Sequence, residues 1–221
     1  MGPSRSSLIL NKQRLTPYSI TYEKHKRIPT LQVISTILGI TVVILNAKEK
    51  VFAWPLAVLG TILNFFIYYQ LGLYAKCLLN NIHLALALYG WYQWLYSNTG
   101  QTPLRVSTTR PRTMRILLLV GIACAYIFWR ILVKVANTPM VCGDSVHAAL
   151  CLIAQWMTAR KRLESWIIWI MANMLFAFVC YQDHLYWFSG LNACFIFLSA
   201  HGYRVWRQSY LKHTAATSRG L

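Results

Sequence analysis

Residues 68–94 read YYQLGLYAKCLLNNIHLALALYGWYQW, and residues 180–206 read CYQDHLYWFSGLNACFIFLSAHGYRVW. Laid over one another at a constant offset of 112 and without a gap, they pair Tyr69 with Tyr181, Gln70 with Gln182, Leu73 with Leu185, Tyr74 with Tyr186, Asn80 with Asn192, Gly90 with Gly202 and Trp94 with Trp206. The register continues upstream. There NAKEKVFAW lies over TARKRLESW, matching Ala47 to Ala159, Lys48 to Arg160, Lys50 to Arg162 and Trp54 to Trp166. The chain carries an internal duplication, in which asparagines recur inside stretches almost free of charge.

Those stretches set the solvent. With 57% hydrophobic, 14% aromatic and only 12% charged residues in 221, the composition is too apolar for a soluble domain of this size. Charge-free runs at 28–47, 51–75, 77–104, 165–182 and 184–203 approach or exceed the roughly 20 residues that cross a hydrocarbon core as helix. Shorter runs at 116–129 and 145–159 bring the expectation to seven spans. No alternating pattern argues for a barrel, so helices must satisfy the backbone in lipid. The reading is an all-α, polytopic membrane protein with spans near 28–47, 51–69, 74–96, 115–135, 141–159, 165–181 and 185–207.

A formal net charge of +17 is by itself the footprint of a nucleic-acid binder. Its distribution argues otherwise: AKEK, RVSTTRPRTMR, ARKR and RVWRQSYLK fall between or after the apolar runs, as cytoplasmic loops of a membrane protein do. Seven spans put 13 basic residues of the loops and C-terminal tail on one face, against Lys76, Arg130 and Lys134 on the other. The basic residues before position 28 fall on the second face, and the loop asymmetry outweighs them. The C-terminus is expected in the cytoplasm.

The duplication then divides the chain into a basic N-terminal tail over 1–27, retained because it lacks the apolar core of a secretory signal, a three-helix repeat over 28–96, a basic loop and linker helix over 97–136, a second three-helix repeat over 141–207, and a cytoplasmic tail over 208–221. A three-helix unit repeated directly would be inverted in the membrane. The unpaired fourth span restores the second copy to the orientation of the first, which predicts a 3+1+3 arrangement of parallel repeats with a site between them near the midplane.

Enzyme chemistry finds little support. The acids Glu23, Glu49, Asp144, Glu164 and Asp183 lie in the tail, in loops or at span ends, leaving no buried carboxylate pair for general acid–base work. GxSxG, HExxH and phosphate-cradling glycine loops are missing. The six cysteines and six histidines show no ligand spacing, so neither metal nor cofactor is expected, and most of the cysteines read as small core hydrophobes.

Polar side chains inside the spans remain. Thr61, Asn64 and Tyr68 form one helical stripe, and Trp166, Trp169 and Asn173 another. Asn80, Asn81 and His83 crowd the third span, Gln155 and Trp156 the fifth, and Asn192 the seventh. Amides offer donors and acceptors without charge, and aromatic faces stack on a ring or hold a cation. The plainer alternative is that such amides bond a neighbouring helix. Trp54, Trp91, Trp94 and Trp206 read as an interfacial belt, and His83 as a satisfied interior histidine. Asn80 and Asn192 are expected to face each other across the repeat axis.

At these residues the chain resembles the PnuC family of vitamin transporters. LGLYAKCLLNNIHLALALYGWYQW is similar to its glycine-leucine-tyrosine turn and YGW-x-x-W span end; AQWMTARKRLESWIIWIMANMLF to its AQW, basic loop and WxxWxxxN run; HLYWFSGLNACFIFLSAHGYRVWR to its closing span. The likeness runs from about position 45 to 207. It implies a SWEET-like nicotinamide riboside carrier of the inner (plasma) membrane. It also implies a homotrimer, moving its substrate by facilitated diffusion with trapping by a cytoplasmic kinase, without a cofactor. It carries over Gln155, Trp156, Trp166, Trp169, Asn173 and Tyr186. The chain departs from the family at Lys76, where an acid is usual, at Asn80, where Gln is common, and at Asn192, where Tyr is common.

The candidate site thus comprises Asn173, Trp169, Trp166, Gln155, Asn192, Asn80, Asn64 and Tyr186. No Lys or Arg lies within the interiors of the second, third, sixth or seventh spans to compensate a phosphate in low dielectric, so a dephosphorylated solute is favoured. Rival readings are uptake of thiamine or riboflavin, a membrane enzyme of lipid metabolism, and a non-transporting membrane scaffold.

Overall fold

The structure, a computed structural model, describes residues 17–71, 74–96, 104–135, 141–182 and 184–219. The tail before Pro17, Leu73, Asp183 and Leu221 lie outside them. Among the described residues the chain forms seven helices: α1 Pro17–Ala47, α2 Ala53–Gln70, α3 Tyr74–Tyr96, α4 Pro111–Val135, α5 Val141–Ala159, α6 Ser165–Gln182 and α7 Tyr186–Arg219. Six of the seven expected starts agree within a few residues. The larger differences lie at the chain ends, where α1 begins at Pro17 and α7 continues to Arg219. A 34-residue helix is about 51 Å long, well beyond a hydrocarbon core of about 30 Å. The polar run RQSYLKHTAATSR therefore extends α7 past the apolar segment. Intrahelical hydrogen bonds serve water-exposed backbone as well as they serve buried backbone, so loss of hydrophobicity does not end a helix.

By length and composition alone, α1 over Thr30–Ala47, α4 over Pro111–Lys134 and α6 over Ser165–Gln182 are apolar enough to cross a membrane. The remaining helices are diluted by amides, histidines and terminal charges. The outer surface suits lipid: Leu118, Leu119 and Ile122 of α4, Phe66 of α2 and Phe197 of α7 are all more than half exposed, a surface water would penalise.

The helices α1, α2, α3, α5, α6 and α7 pack successively, α3 against α5 and α1 against α7, closing a ring; α4 lies against α5 and touches α3. At one end of the ring the α1–α2 and α5–α6 turns repeat each other atom for atom. Lys50 N–H bonds Leu45 O at 2.9 Å and Glu49 N–H bonds Asn46 O at 3.0 Å; 112 residues later Arg162 N–H bonds Met157 O at 2.9 Å and Lys161 N–H bonds Thr158 O at 3.0 Å. This is the Schellman helix ending, which needs a left-handed residue. Glu49 (φ 54°) and Lys161 (φ 48°) supply it without being glycine. The two equivalent residues also meet, since Lys161 Nζ lies 2.9 Å from Glu49 Oε2 and 4.6 Å from the centre of the Trp94 ring.

Beneath these turns lies the core. Trp54, Trp94, Trp166 and Trp206 are each at most 2% exposed, which corrects the reading of Trp54, Trp94 and Trp206 as an interfacial belt; Trp91 packs against the same cluster half-buried. Trp54 meets Trp94 edge-on at 5.6 Å, Trp166 meets Trp206 edge-on at 5.3 Å, and Trp94 and Trp206 join the pairs at 6.2 Å. Two of the indoles find their acceptors in the opposite half of the ring: Trp94 Nε1 donates to Ala159 O at 3.1 Å and Trp206 Nε1 to Asn46 O at 3.0 Å. Only glycine fits opposite the other two. A Cβ on Gly90 would come within 2.2 Å of the Trp54 ring and one on Gly202 within 2.6 Å of the Trp166 ring.

The basic segment before α4 is fastened to the same end. Ser107 N–H bonds Lys161 O and Leu163 N–H bonds Ser107 O. Arg162 Nη1 donates to Ser107 Oγ and Thr108 O, and the Glu164 carboxylate accepts from Thr109 N–H and its hydroxyl.

Candidate functional site

Above the tryptophan floor the ring encloses a cavity of about 360 Å³, within the roughly 300–1,000 Å³ typical of small-molecule sites. All six ring helices reach it. On α2 the wall is Trp54, Ala57, Thr61, Asn64 and Tyr68; on α6 it is Trp166, Trp169 and Asn173. These are the two stripes at helical spacing. Asn46 of α1, Asn80 and His83 of α3, Gln155 and Thr158 of α5, and Phe195 and Ser199 of α7 complete the polar and aromatic lining. Among the described residues that line it, none is an acid, a lysine or an arginine.

Six of the eight sequence-predicted residues, Asn64, Asn80, Gln155, Trp166, Trp169 and Asn173, are thus brought to one wall. Asn192 and Tyr186 are not. Asn192 is buried, and its Nδ2 donates to Phe188 O one turn back on its own helix at 2.8 Å. The expected apposition with Asn80 across the cavity is therefore absent from its lining. Tyr186 stands at the first residue of α7, 59% exposed, its hydroxyl 2.9 Å from His184 Nδ1; the α6–α7 turn places it at the rim of the bundle. Residues not singled out beforehand also line the wall: Asn46, Thr158, Ser199 and Phe195; His83, read as a satisfied interior histidine, is paired with Gln155 and reaches the same wall. The 112-residue offset was the available signal for part of the wall, since it carries the predicted Gln155 onto Val43 and Trp169 onto Ala57, which also line it.

Hydrogen bonds decide what each amide has left to offer. Asn64 Oδ1 accepts from the Ser35 hydroxyl at 2.6 Å, which leaves its Nδ2 as donor. Asn80 Nδ2 donates to Thr61 O at 2.7 Å, and Asn173 Nδ2 to Trp169 O at 2.8 Å; each leaves Oδ1 as acceptor. Trp169 Nε1 donates to Thr158 Oγ1 at 3.1 Å, fixing the indole plane. The Trp54 and Trp166 indole nitrogens and Asn46 Oδ1 are buried with no partner among the described residues. Such atoms cost about 1–3 kcal/mol each unless water or a solute meets them.

A second, smaller pocket of about 240 Å³ lies between α3, α4 and α5, with Lys76, Asp144 and His147 in its wall. It shares Tyr68, Asn80 and His83 with the central cavity. His147 stacks on Phe176 at 4.2 Å and lies 3.3 Å from Cys151 Sγ. Among the described residues no cluster of His, Cys, Asp and Glu suits a metal ion.

A ring of apolar-faced helices around an uncharged cavity of amides and indoles defines a membrane transporter of small polar solutes. The chain belongs to the nicotinamide mononucleotide transporter family, which it matches over residues 29–208. It is 22% identical over 204 residues to the nicotinamide riboside transporter PnuC of Escherichia coli, spanning 81% of this chain and 85% of that one. It is 23% identical over 147 residues to the riboflavin/roseoflavin transporter RibM of Streptomyces davaonensis, spanning 64% and 68%. In three dimensions it is similar to the crystal structure of the vitamin B3 transporter PnuC, with a TM-score of 0.65 at 16% identity over 96% of this chain and 94% of that one. At that identity the likeness speaks for the fold.

Proposed function

We propose that the chain carries nicotinamide riboside across the inner membrane for NAD synthesis, by facilitated diffusion between parallel three-helix repeats in a 3+1+3, seven-span arrangement. The observation that carries the substrate choice is the charge-free lining of the cavity. The family's description names the mononucleotide, whereas the Escherichia coli relative is a riboside transporter. A phosphate dianion here would lose its hydration without gaining a cation, a cost of several kcal/mol or more. The riboside offers instead a cationic ring for Trp169 to stack against, and a carboxamide and hydroxyls for Asn64, Asn80 and Asn173.

Alternating access follows from the closure at the basic end. The four tryptophans and the Lys161–Glu49 pair close over that end, and the loop charges favour the cytoplasmic side for it. Release inward requires those cross-repeat contacts to part. Among the described residues no carboxylate lines the cavity to carry a proton or hold sodium, in keeping with uncoupled transport. Assembly as a homotrimer rests on the family resemblance.

Thermal shift and titration of the purified protein test the substrate. The riboside should stabilise and bind, and the mononucleotide should bind at least about tenfold more weakly, the equivalent of 1.4 kcal/mol. Equal affinity for the two, or binding of thiamine or riboflavin alone, would overturn the assignment. In proteoliposomes the riboside should equilibrate without an imposed ion gradient.

A further inference from the structure

Gln155 and His83 hold one another. Gln155 Nε2 donates to the His83 backbone carbonyl at 3.0 Å, and Gln155 Oε1 meets His83 Nδ1. A carbonyl oxygen only accepts, so the amide nitrogen must be on its side and the amide oxygen on the ring. The ring atom facing that oxygen must then carry the hydrogen. With the hydrogen on Nδ1, the neutral imidazole has its lone pair on Nε2. His83 belongs to the walls of both the central cavity and the side pocket, as does Asn80, one turn away on the same helix. Asn80 has one N–H on Thr61 O and keeps its oxygen as an acceptor.

We propose that His83 Nε2 and Asn80 Oδ1 form an acceptor pair that takes two N–H or O–H hydrogens of the bound solute, with Gln155 acting as the positioning residue that fixes the imidazole tautomer. The inference rests on the cavity being the solute site. It assigns Gln155 a different part from that suggested by sequence: one donor and one acceptor of its amide are engaged with His83. The duplication makes the pair conspicuous, because the positions equivalent to His83 and Gln155 are Phe195 and Val43, and both also line the cavity. The fold thus accommodates an apolar pair where α3 and α5 present a polar one. The side that carries the polar pair gives the cavity its direction. Two donor groups of nicotinamide riboside match this chemistry, the vicinal hydroxyls of the sugar and the carboxamide N–H2.

Calorimetric titration of the full-length protein and of His83→Phe with three ligands separates them: the riboside, its 2′,3′-dideoxy analogue, and the acid riboside whose carboxylate has no N–H. On the unmutated protein one analogue should bind about tenfold more weakly than the riboside or worse, identifying the donor that is read. On His83→Phe the riboside itself should lose about tenfold, and that analogue should lose little more, the coupling expected of interacting partners. Gln155→Val should lower riboside affinity on the unmutated background and add nothing on His83→Phe, while the double variant melts close to the unmutated protein. Unchanged riboside affinity in His83→Phe, or an equal loss for all three ligands, overturns the proposal. If the unmutated protein binds none of the three, the riboside reading fails instead. The same comparison is then made with riboflavin and a ligand lacking its side-chain hydroxyls, where an unchanged affinity on His83→Phe sinks the acceptor pair as well.

Discussion

The half of the cavity built from α1–α3 and the half built from α5–α7 share many of their positions. Asn46 and Thr158, Val43 and Gln155, Ala57 and Trp169, Thr61 and Asn173, and His83 and Phe195 are each 112 residues apart, and both members of every pair line the wall. Only Trp54 and Trp166, at the floor, are identical. The duplicated parts are those that hold the two halves together: the left-handed turns at Glu49 and Lys161, the Trp–Gly contacts, and the indole bonds that cross between halves. The divergent parts are those a solute would touch. A closure shared by both halves favours matching contacts, because both halves must move together. An asymmetric ligand favours unlike walls, because a ring and a sugar need different partners.

The largest effect should come from breaking the shared part. Gly90→Ala and Gly202→Ala each drive a methyl into an indole, at 2.2 and 2.6 Å, and should cost about 1–3 kcal/mol or more of stability by overpacking. Gly190, where an added methyl would meet nothing within 4 Å, should tolerate alanine. Melting in detergent compares the three, and a stable Gly90→Ala alongside a destabilised Gly202→Ala would mean the two contacts are not equivalent in solution.

Next comes the divergent part. Asn173→Ala removes the acceptor beside Trp169 and should weaken riboside binding by about ten- to a hundredfold. Asn192→Leu should leave affinity unchanged, since Asn192 bonds its own helix away from the cavity. Calorimetry on the two proteins decides, and a loss at Asn192 equal to that at Asn173 would restore a symmetric site.

The ion pair should give a smaller effect. Lys161→Met leaves Glu49 without its 2.9 Å partner and should cost about 1 kcal/mol, because the carboxylate is partly open to water. Exchanging the charges, Glu49→Lys with Lys161→Glu, should recover most of it, because the two turns share one geometry. Failure to recover would show that the buried position over Trp94 requires a cation.

Trp54, Trp94 and Trp206 show where sequence reading stops. Their place near the ends of apolar runs is the signature of an interfacial belt, and periodicity cannot tell a ring facing headgroups from one facing another helix. Tyr186 and Asn192 fail for the same reason: matching a position to its repeat or to a family names the residue without its direction. The two stripes at helical spacing, by contrast, were legible, because side chains three or four apart must share a face.

By itself the sequence determined the solvent, the helices and the duplication, since these follow from composition, from run length against bilayer thickness and from an offset that holds without a gap. It also determined that the interior offers amides and aromatics in place of charges. Only the tertiary structure decided which of them converge, that four tryptophans from two halves become one floor, that Asn80 reaches the cavity while Asn192 does not, and that His83 and Gln155 meet across 72 residues of chain. Spacing along a helix fixes which residues share a face, but which face meets which is settled by the packing of the whole ring.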